Sequence, residues 1–150
     1  MEGIHQQSVD VLIETIRKDV EYGITAIMLF GVVEQSDKDE HATKASDASS
    51  HLHEAIKQIK SEFGDTIVIM TDVCLCTATN HGHCGLVEHG HIVNDASVHR
   101  LCEIAVSHAQ AGADYVCASD MMDGRVSAIR HALETLSLIH ISEPTRLEPI

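Results

Sequence analysis

Three times in this chain an amphipathic helical stripe ends at a glycine and gives way to a short, nearly continuous apolar run. Val9, Leu12, Ile13, Ile16 and Val20 share one helical face within residues 8–21, Gly23 follows, and Ile24 to Phe30 is almost wholly apolar. Leu52, Ala55, Ile56 and Ile59 repeat the stripe before Gly64 and the run Thr66 to Met70. Val98, Leu101, Cys102, Ala105 and Ala109 repeat it before Gly112 and the run Ala113 to Ala118. Apolar spacing near 3.6 predicts helices, and short apolar runs bounded by glycine predict strands buried on both faces. Glycine just past the last helical residue supplies the left-handed cap that stops the helix. The three glycines stand 41 and 48 residues apart. Helix, glycine and strand at that period describe βαβ units, with a parallel sheet and right-handed crossovers. A fourth helix is expected from near Gly124, with Val126, Ile129 and Leu133 facing inward. The fold class is therefore α/β with about three strands. A closed (β/α)8 barrel takes about 250 residues, so three strands make either a small open sheet or part of a barrel.

The chemistry concentrates after the second strand. Residues 72–85 carry Asp72, Cys74, Cys76, His81, His83 and Cys84. Alternate residues of an extended chain point the same way, so Cys74 and Cys76 can face one site. The Thr77-to-Gly82 segment lets the chain turn back and bring in Cys84. Zinc accepts thiolates, and three protein ligands leave the open position typical of a catalytic ion. The competing reading is three unrelated core or reduced surface cysteines. If the strands lie in a barrel, polar residues at their C-terminal ends line the functional mouth. Asp72 and the pair Ser119-Asp120 stand at such ends. Asp72 also suits a turn, and Asp120 or Asp123 suits a cap on the following helix. Arg125 reads as an ion-pair or anion contact, because its guanidinium stays charged. Cys102 and Cys117 read as core, and Met121 and Met122 as packing beneath the site. His5, His41, His51, His53, His99 and His108 read as surface residues.

Charge narrows the partners. A net charge of −13 argues against nucleic acid or an anionic membrane surface. The longest apolar run, Ile24 to Val33, is too short to span a bilayer, and no signal-peptide pattern opens the chain. Five cysteines, three of them clustered, fit a reducing compartment better than a disulfide scaffold, so a cytoplasmic protein is expected. The loop from Gly31 to Ser50 is long and charged, as functional or mobile loops are.

The stretch from Asp72 to Gly85 resembles the metal-binding signature of the porphobilinogen synthase (5-aminolevulinate dehydratase) family. Ile24 to Val32 with Lys38-Asp39-Glu40, Ala105 to Gly112, and Ser119-Asp120-Met121-Met122-Asp123-Gly124-Arg125 are similar to the same family, so the likeness covers most of residues 1–135. It implies a partial TIM (β/α)8 barrel, with these strands as the second to fourth, and Met1 to Ile4 as the segment after a first strand. It implies an enzyme that condenses two molecules of 5-aminolevulinate into porphobilinogen with loss of two waters, in tetrapyrrole (heme) biosynthesis. Cys74, Cys76 and Cys84 match the zinc cysteines of the zinc-dependent members. Asp72, Ser119 and Asp120 match substrate-pocket residues, and His83 a position linked to a secondary metal, or to a supporting role beside the first. Homo-oligomeric assembly is implied as well. The two Schiff-base lysines of the family have no match here, since Lys57 and Lys60 lie on the second helix. The chain is thus expected to be a fragment, inactive alone. It departs from the family pattern at Glu2, at His41-Ala42, at Ala78 and at Ala118.

Residues 136–150 break the pattern. Leu136 to Arg146 resembles the translation of a transposon-end sequencing adapter, so 1–135 is read as barrel and 136–150 as a non-native tail. The rival for the whole chain is a small zinc-binding or thiol redox module with fully coordinated structural zinc.

Overall fold

A computed structural model describes residues 5–136. The Met1–Ile4 match and the tail beyond Leu136 lie outside the described residues. In chain order the elements are α1 (Val9–Glu21), β1 (Ala26–Leu29), α2 (His51–Phe63), β2 (Val68–Val73), β3 (Val87–Glu88), β4 (His91–Ile92), α3 (Asn94–Ala111), β5 (Tyr115–Ala118) and α4 (Arg125–Thr135). Strands β1, β2 and β5 form one parallel sheet in the order β1-β2-β5. Ala26 aligns with Val68 and Leu29 with Thr71, while Met70 aligns with Tyr115 and Val73 with Ala118. This is the α/β repeat expected from the helix–glycine–strand period, an open parallel sheet of three strands.

The helix ends follow local chemistry. Ser50 caps α2 by accepting from the His53 amide, one of the donors a helix start leaves unpaired. Gly112 caps α3 at φ 114°, a value closed to most side-chain-bearing residues. Helix α4 starts at Gly124 with no side-chain cap, so neither Asp120 nor Asp123 serves it.

Alternation along β2 shows which face is covered. Ile69, Thr71 and Val73 are buried, and Val68, Met70 and Asp72 are half-buried. The buried row meets the helices. Ile13, Ile16, Ile56, Ile59, Ile67 and Ile69 form one apolar cluster beneath α1 and α2. Val73, Leu75, Leu101, Ile104, Ile129 and Leu133 form a second beneath α3 and α4. The opposite face has no layer over it among the described residues: Met28 is 40% exposed, Phe30 62% and Tyr115 39%.

Several expectations are corrected. Strand β2 runs on to Val73, so Asp72 lies in the strand and not in a turn. Residues 87–92 form a hairpin that apolar periodicity does not announce, turning at His89 and Gly90 with φ of 50° and 80°. Both turn residues are left-handed, which matches the twist of the two short strands. His53 and His108 are buried in the helix layer, where hydroxyls meet both ring nitrogens of His53 and the Nδ1 of His108. His53 Nδ1 lies 2.7 Å from Ser50 Oγ and its Nε2 3.0 Å from Ser107 Oγ. His108 Nδ1 lies 3.1 Å from Thr71 Oγ1, and the two rings pack edge to face at 5.2 Å. Cys117 is half-buried on the uncovered face and belongs to neither core cluster, because its register places it beside Asp72. Met122 is buried as expected, but Met121 is 73% exposed.

Candidate metal centre

Strand β2 ends at Val73, and the chain leaves it through Cys74, Leu75 and Cys76. Leu75 is fully buried in the α3–α4 cluster and pins this exit. Cys74 and Cys76 flank it, with sulfurs 3.2 Å apart. The turn that follows is tied at its start, where the Ala78 and Thr79 amides both donate to the Leu75 carbonyl at 3.0 Å. Thr79 Oγ1 then donates across the turn to the His83 carbonyl at 3.0 Å. The next residue is Cys84. The three Sγ atoms lie within 4.8 Å of one another, the single such grouping of metal-binding side chains among the described residues.

Electrostatics holds the Cys76 and Cys84 thiols toward their neutral form. Burial, then the neighbouring Cys74 and Cys76, pushes the Cys84 thiol up to about 12. Burial, then Cys74, raises Cys76 as well. A divalent cation among the three sulfurs would displace the thiol protons and take thiolate ligands. All five cysteines are free thiols. The donor set and its spacing therefore suit a metal ion that takes sulfur ligands.

His81 and His83 stand on the same turn, with ring centroids 5.3 Å apart. The His83 amide donates to His81 Nδ1 at 3.1 Å, which leaves the proton of the neutral ring on Nε2. That Nε2 is buried without a partner. His83 itself is exposed and does not join the sulfur grouping.

The sequence-derived pocket residues gather at the same end of the sheet. Asp72 aligns with Cys117 across β2 and β5, and its Oδ1 is buried without a partner. Ser119 is exposed, and its amide donates to the Val73 carbonyl at 3.2 Å, stitching the end of β5 to β2. Asp120 is buried and accepts from the Met122 amide at 2.7 Å. Arg125 Nε stands 3.3 Å from its Oδ2 as an ion pair without hydrogen-bond alignment. Burial raises the Asp120 carboxyl above its usual range, against the pull of the Met122 amide and Arg125. A cleft of about 870 Å³ opens here, lined by Phe30, Val32, Lys44, Asp72, Cys74 and Thr77 among others. A second cavity of about 410 Å³ lies at the opposite strand ends, where Lys60 pairs with Asp114 at 2.6 Å.

Two supporting residues escape a reading of the sequence. Gly85 packs so closely that a Cβ there would lie 2.5 Å from Ile92 Cγ2. Asn94 Nδ2 donates to the Asp123 carbonyl at 3.2 Å and its Oδ1 accepts from the Asp123 amide at 2.8 Å, fixing the loop after Asp120. Neither has a spacing signal, because both act through contacts between segments distant along the chain.

The family model described as "Delta-aminolevulinic acid dehydratase" matches residues 1–142. A delta-aminolevulinic acid dehydratase of Methanothermus sociabilis is 46% identical over 134 residues, 89% of this chain and 41% of that protein. One of Dictyostelium discoideum is 48% identical over 133 residues, 87% of this chain and 40% of that protein. One solved structure is delta-aminolevulinic acid dehydratase (porphobilinogen synthase) from Toxoplasma gondii ME49, in complex with the reaction product porphobilinogen. It superposes with a TM-score of 0.90 at 40% identity, covering 93% of this chain and 40% of that one. The chain thus spans about two fifths of the length of the relatives it matches.

Proposed function

The chain belongs to the delta-aminolevulinic acid dehydratase family, and from that premise we propose that it contributes the metal centre and part of the substrate pocket of a porphobilinogen synthase. The reaction joins two molecules of 5-aminolevulinate into porphobilinogen and releases two waters. The observation that carries the reading is the convergence of Cys74, Cys76 and Cys84 beside Asp72 at the C-terminal end of β2.

Cys74, Cys76 and Cys84 would hold zinc. Bonds of about 2.3 Å in a tetrahedral arrangement set sulfurs about 3.8 Å apart, a spacing reached by small side-chain adjustments from the present cluster. Zinc so held supplies Lewis acidity toward a carbonyl or bound water. Three ligands from this chain leave a coordination position open, which favours the catalytic reading over a structural zinc or redox module. Asp72 offers a carboxylate oxygen without a partner to the amino group of a substrate. Ser119 offers an exposed hydroxyl. Asp120 is held in place at the end of β5 by the Met122 amide and Arg125. His83 suits a secondary metal or a supporting role at the edge of the first, since it stands on the turn one residue before Cys84.

Amine-to-ketone condensation calls for covalent activation by lysine. Of the five lysines here only Lys44 lines the cleft, and its Nζ is paired with Asp47 at 2.6 Å. Lys18 lies on α1, and Lys38 and Lys44 in the loop after β1. Lys57 donates to the Ala48 carbonyl, and Lys60 pairs with Asp114. The 150-residue chain is therefore proposed to be inactive alone, with residues 1–135 as barrel and 136–150 outside it. The clustered, odd-numbered cysteines and the acidic charge support a cytoplasmic setting and argue against nucleic-acid or anionic-membrane partners. Homo-oligomeric assembly is proposed for the whole enzyme. The test is metal stoichiometry. The chain should bind one zinc, with affinity falling as acid protonates the thiols, and replacing the three cysteines with serine should abolish binding. Unchanged stoichiometry in the triple variant would overturn the site, and pyrrole formation from 5-aminolevulinate by this chain would overturn its inactivity.

A further inference from the structure

The loop after β1 takes no part in the chemistry above, yet two side chains hold it in a defined shape. Asp39 Oδ1 accepts from the His41 and Thr43 amides, both at 2.9 Å, and turns the loop on itself. Arg100, reaching over from α3, donates to the His41 and Ala42 carbonyls at 2.9 Å and the Thr43 carbonyl at 3.2 Å. It also donates to Ser46 Oγ at 2.7 Å. The Arg100 side chain is only 13% exposed, so these charge-assisted bonds act largely out of water, where they are strongest. Between them Ala42 is fully buried in a left-handed conformation at φ 53°. A side-chain-bearing residue keeps that conformation only where its surroundings over-determine it.

The clamped loop is joined to the thiol turn. Asp39 bridges Thr79 as a parallel backbone pair: its amide donates to the Ala78 carbonyl at 3.3 Å, and its carbonyl accepts from the Asn80 amide at 3.0 Å. Thr79 in turn carries the hydroxyl that holds the His83 carbonyl, one residue before Cys84. The bonds to the Leu75 carbonyl secure only the first half of the turn. Its second half, which delivers Cys84, is held by the Thr79 hydroxyl on the His83 carbonyl, the Gly82 amide on the Thr79 carbonyl and the His83 amide on His81 Nδ1, and Thr79 is the residue paired with the loop. We infer that Arg100 is a positioning residue for the thiol trio, holding the 77–84 turn through the Asp39 loop so that Cys84 meets Cys74 and Cys76.

The test compares Arg100→Lys and Arg100→Gln with wild type and with Arg17→Gln, whose parent pairs with Glu14 and Glu62 on the far side of α1 and α2. The first readout needs no metal: the rate at which iodoacetamide alkylates Cys84 in the metal-free full chain, resolved by mass spectrometry. Both Arg100 variants should alkylate several-fold faster at Cys84 with unchanged far-ultraviolet circular dichroism, while Arg17→Gln matches wild type. The second readout deepens the zinc reading and rests on it: cobalt affinity followed by thiolate-to-cobalt absorption should fall about 10-fold in both variants. Wild-type chain that shows no thiolate–cobalt band sinks the metal reading, while the alkylation rates still judge Arg100. Cys84 reactivity within twofold of wild type in both variants overturns the inference. So does loss of circular dichroism in both, because Arg100 would then support the whole fold and not this turn.

Discussion

Replacing Met28 by alanine should cost this chain far less than replacing Ile69 by alanine, although both residues lie in the parallel sheet. The two side chains project to opposite faces, since Met28 aligns with Met70 while Ile69 aligns with Ile27. Ile69 is fully buried against the helices, and truncation of such a residue costs about 2–5 kcal/mol. Met28 is 40% exposed on the face that carries no helix layer, so its truncation should cost about 1 kcal/mol or less. The same face sets the background stability. Full burial of one such side chain is worth about 1.5–3 kcal/mol, so Met28, Phe30 and Tyr115 together leave roughly 3 kcal/mol unrealised. That is a large share of the roughly 5–15 kcal/mol that stabilises ordinary domains. Strands β1 and β5 are also sheet edges with unpaired backbone, which favours aggregation. A urea titration followed by circular dichroism at several protein concentrations should give a broad, weakly cooperative wild-type transition. Met28→Ala should nearly superpose on it, and Ile69→Ala should lack a folded baseline. A sharp, concentration-independent transition, or equal losses in the two variants, would refute the reasoning and favour a self-sufficient small module.

Acid should weaken the fold through His108. Burial, then His53, lowers its folded pKa to about 4 from an ordinary 6.5, so the unfolded chain takes up the proton first as pH falls. This contribution is complete above pH 6.5 and is lost between 6.5 and 4, amounting to about 3 kcal/mol. His108→Gln should flatten the dependence of the urea midpoint on pH across that window, and parallel slopes would remove His108 from the account. Gly85→Ala should cost about 1–3 kcal/mol by overpacking. The new Cβ would lie 2.5 Å from Ile92 Cγ2, 3.1 Å from Ser97 Oγ and 3.3 Å from Met122 Cε. A thermal midpoint equal to wild type would show that the β3–β4 hairpin yields freely.

Much of this protein is legible one residue at a time. Helix positions, the glycines that end them and the three parallel strands follow from apolar period and cap chemistry, both local properties of the chain. The thiol trio is legible for a similar reason, since Cys74, Cys76 and Cys84 fall within eleven residues and need only one turn to converge. Tertiary structure decided what depends on distant segments meeting. His53 and His108 look like surface residues in a histidine-rich chain, and only the hydroxyls of Ser50, Ser107 and Thr71 make their burial tolerable. Cys117 lies in an apolar run like any core residue, but strand register sets it beside Asp72 on the open face. Arg100 is one polar residue among many on α3, and its role exists only because the carbonyls of residues 41–43 arrive within its reach. Apolar spacing is written along the chain, whereas the partners that most buried polar groups need are placed only by the fold.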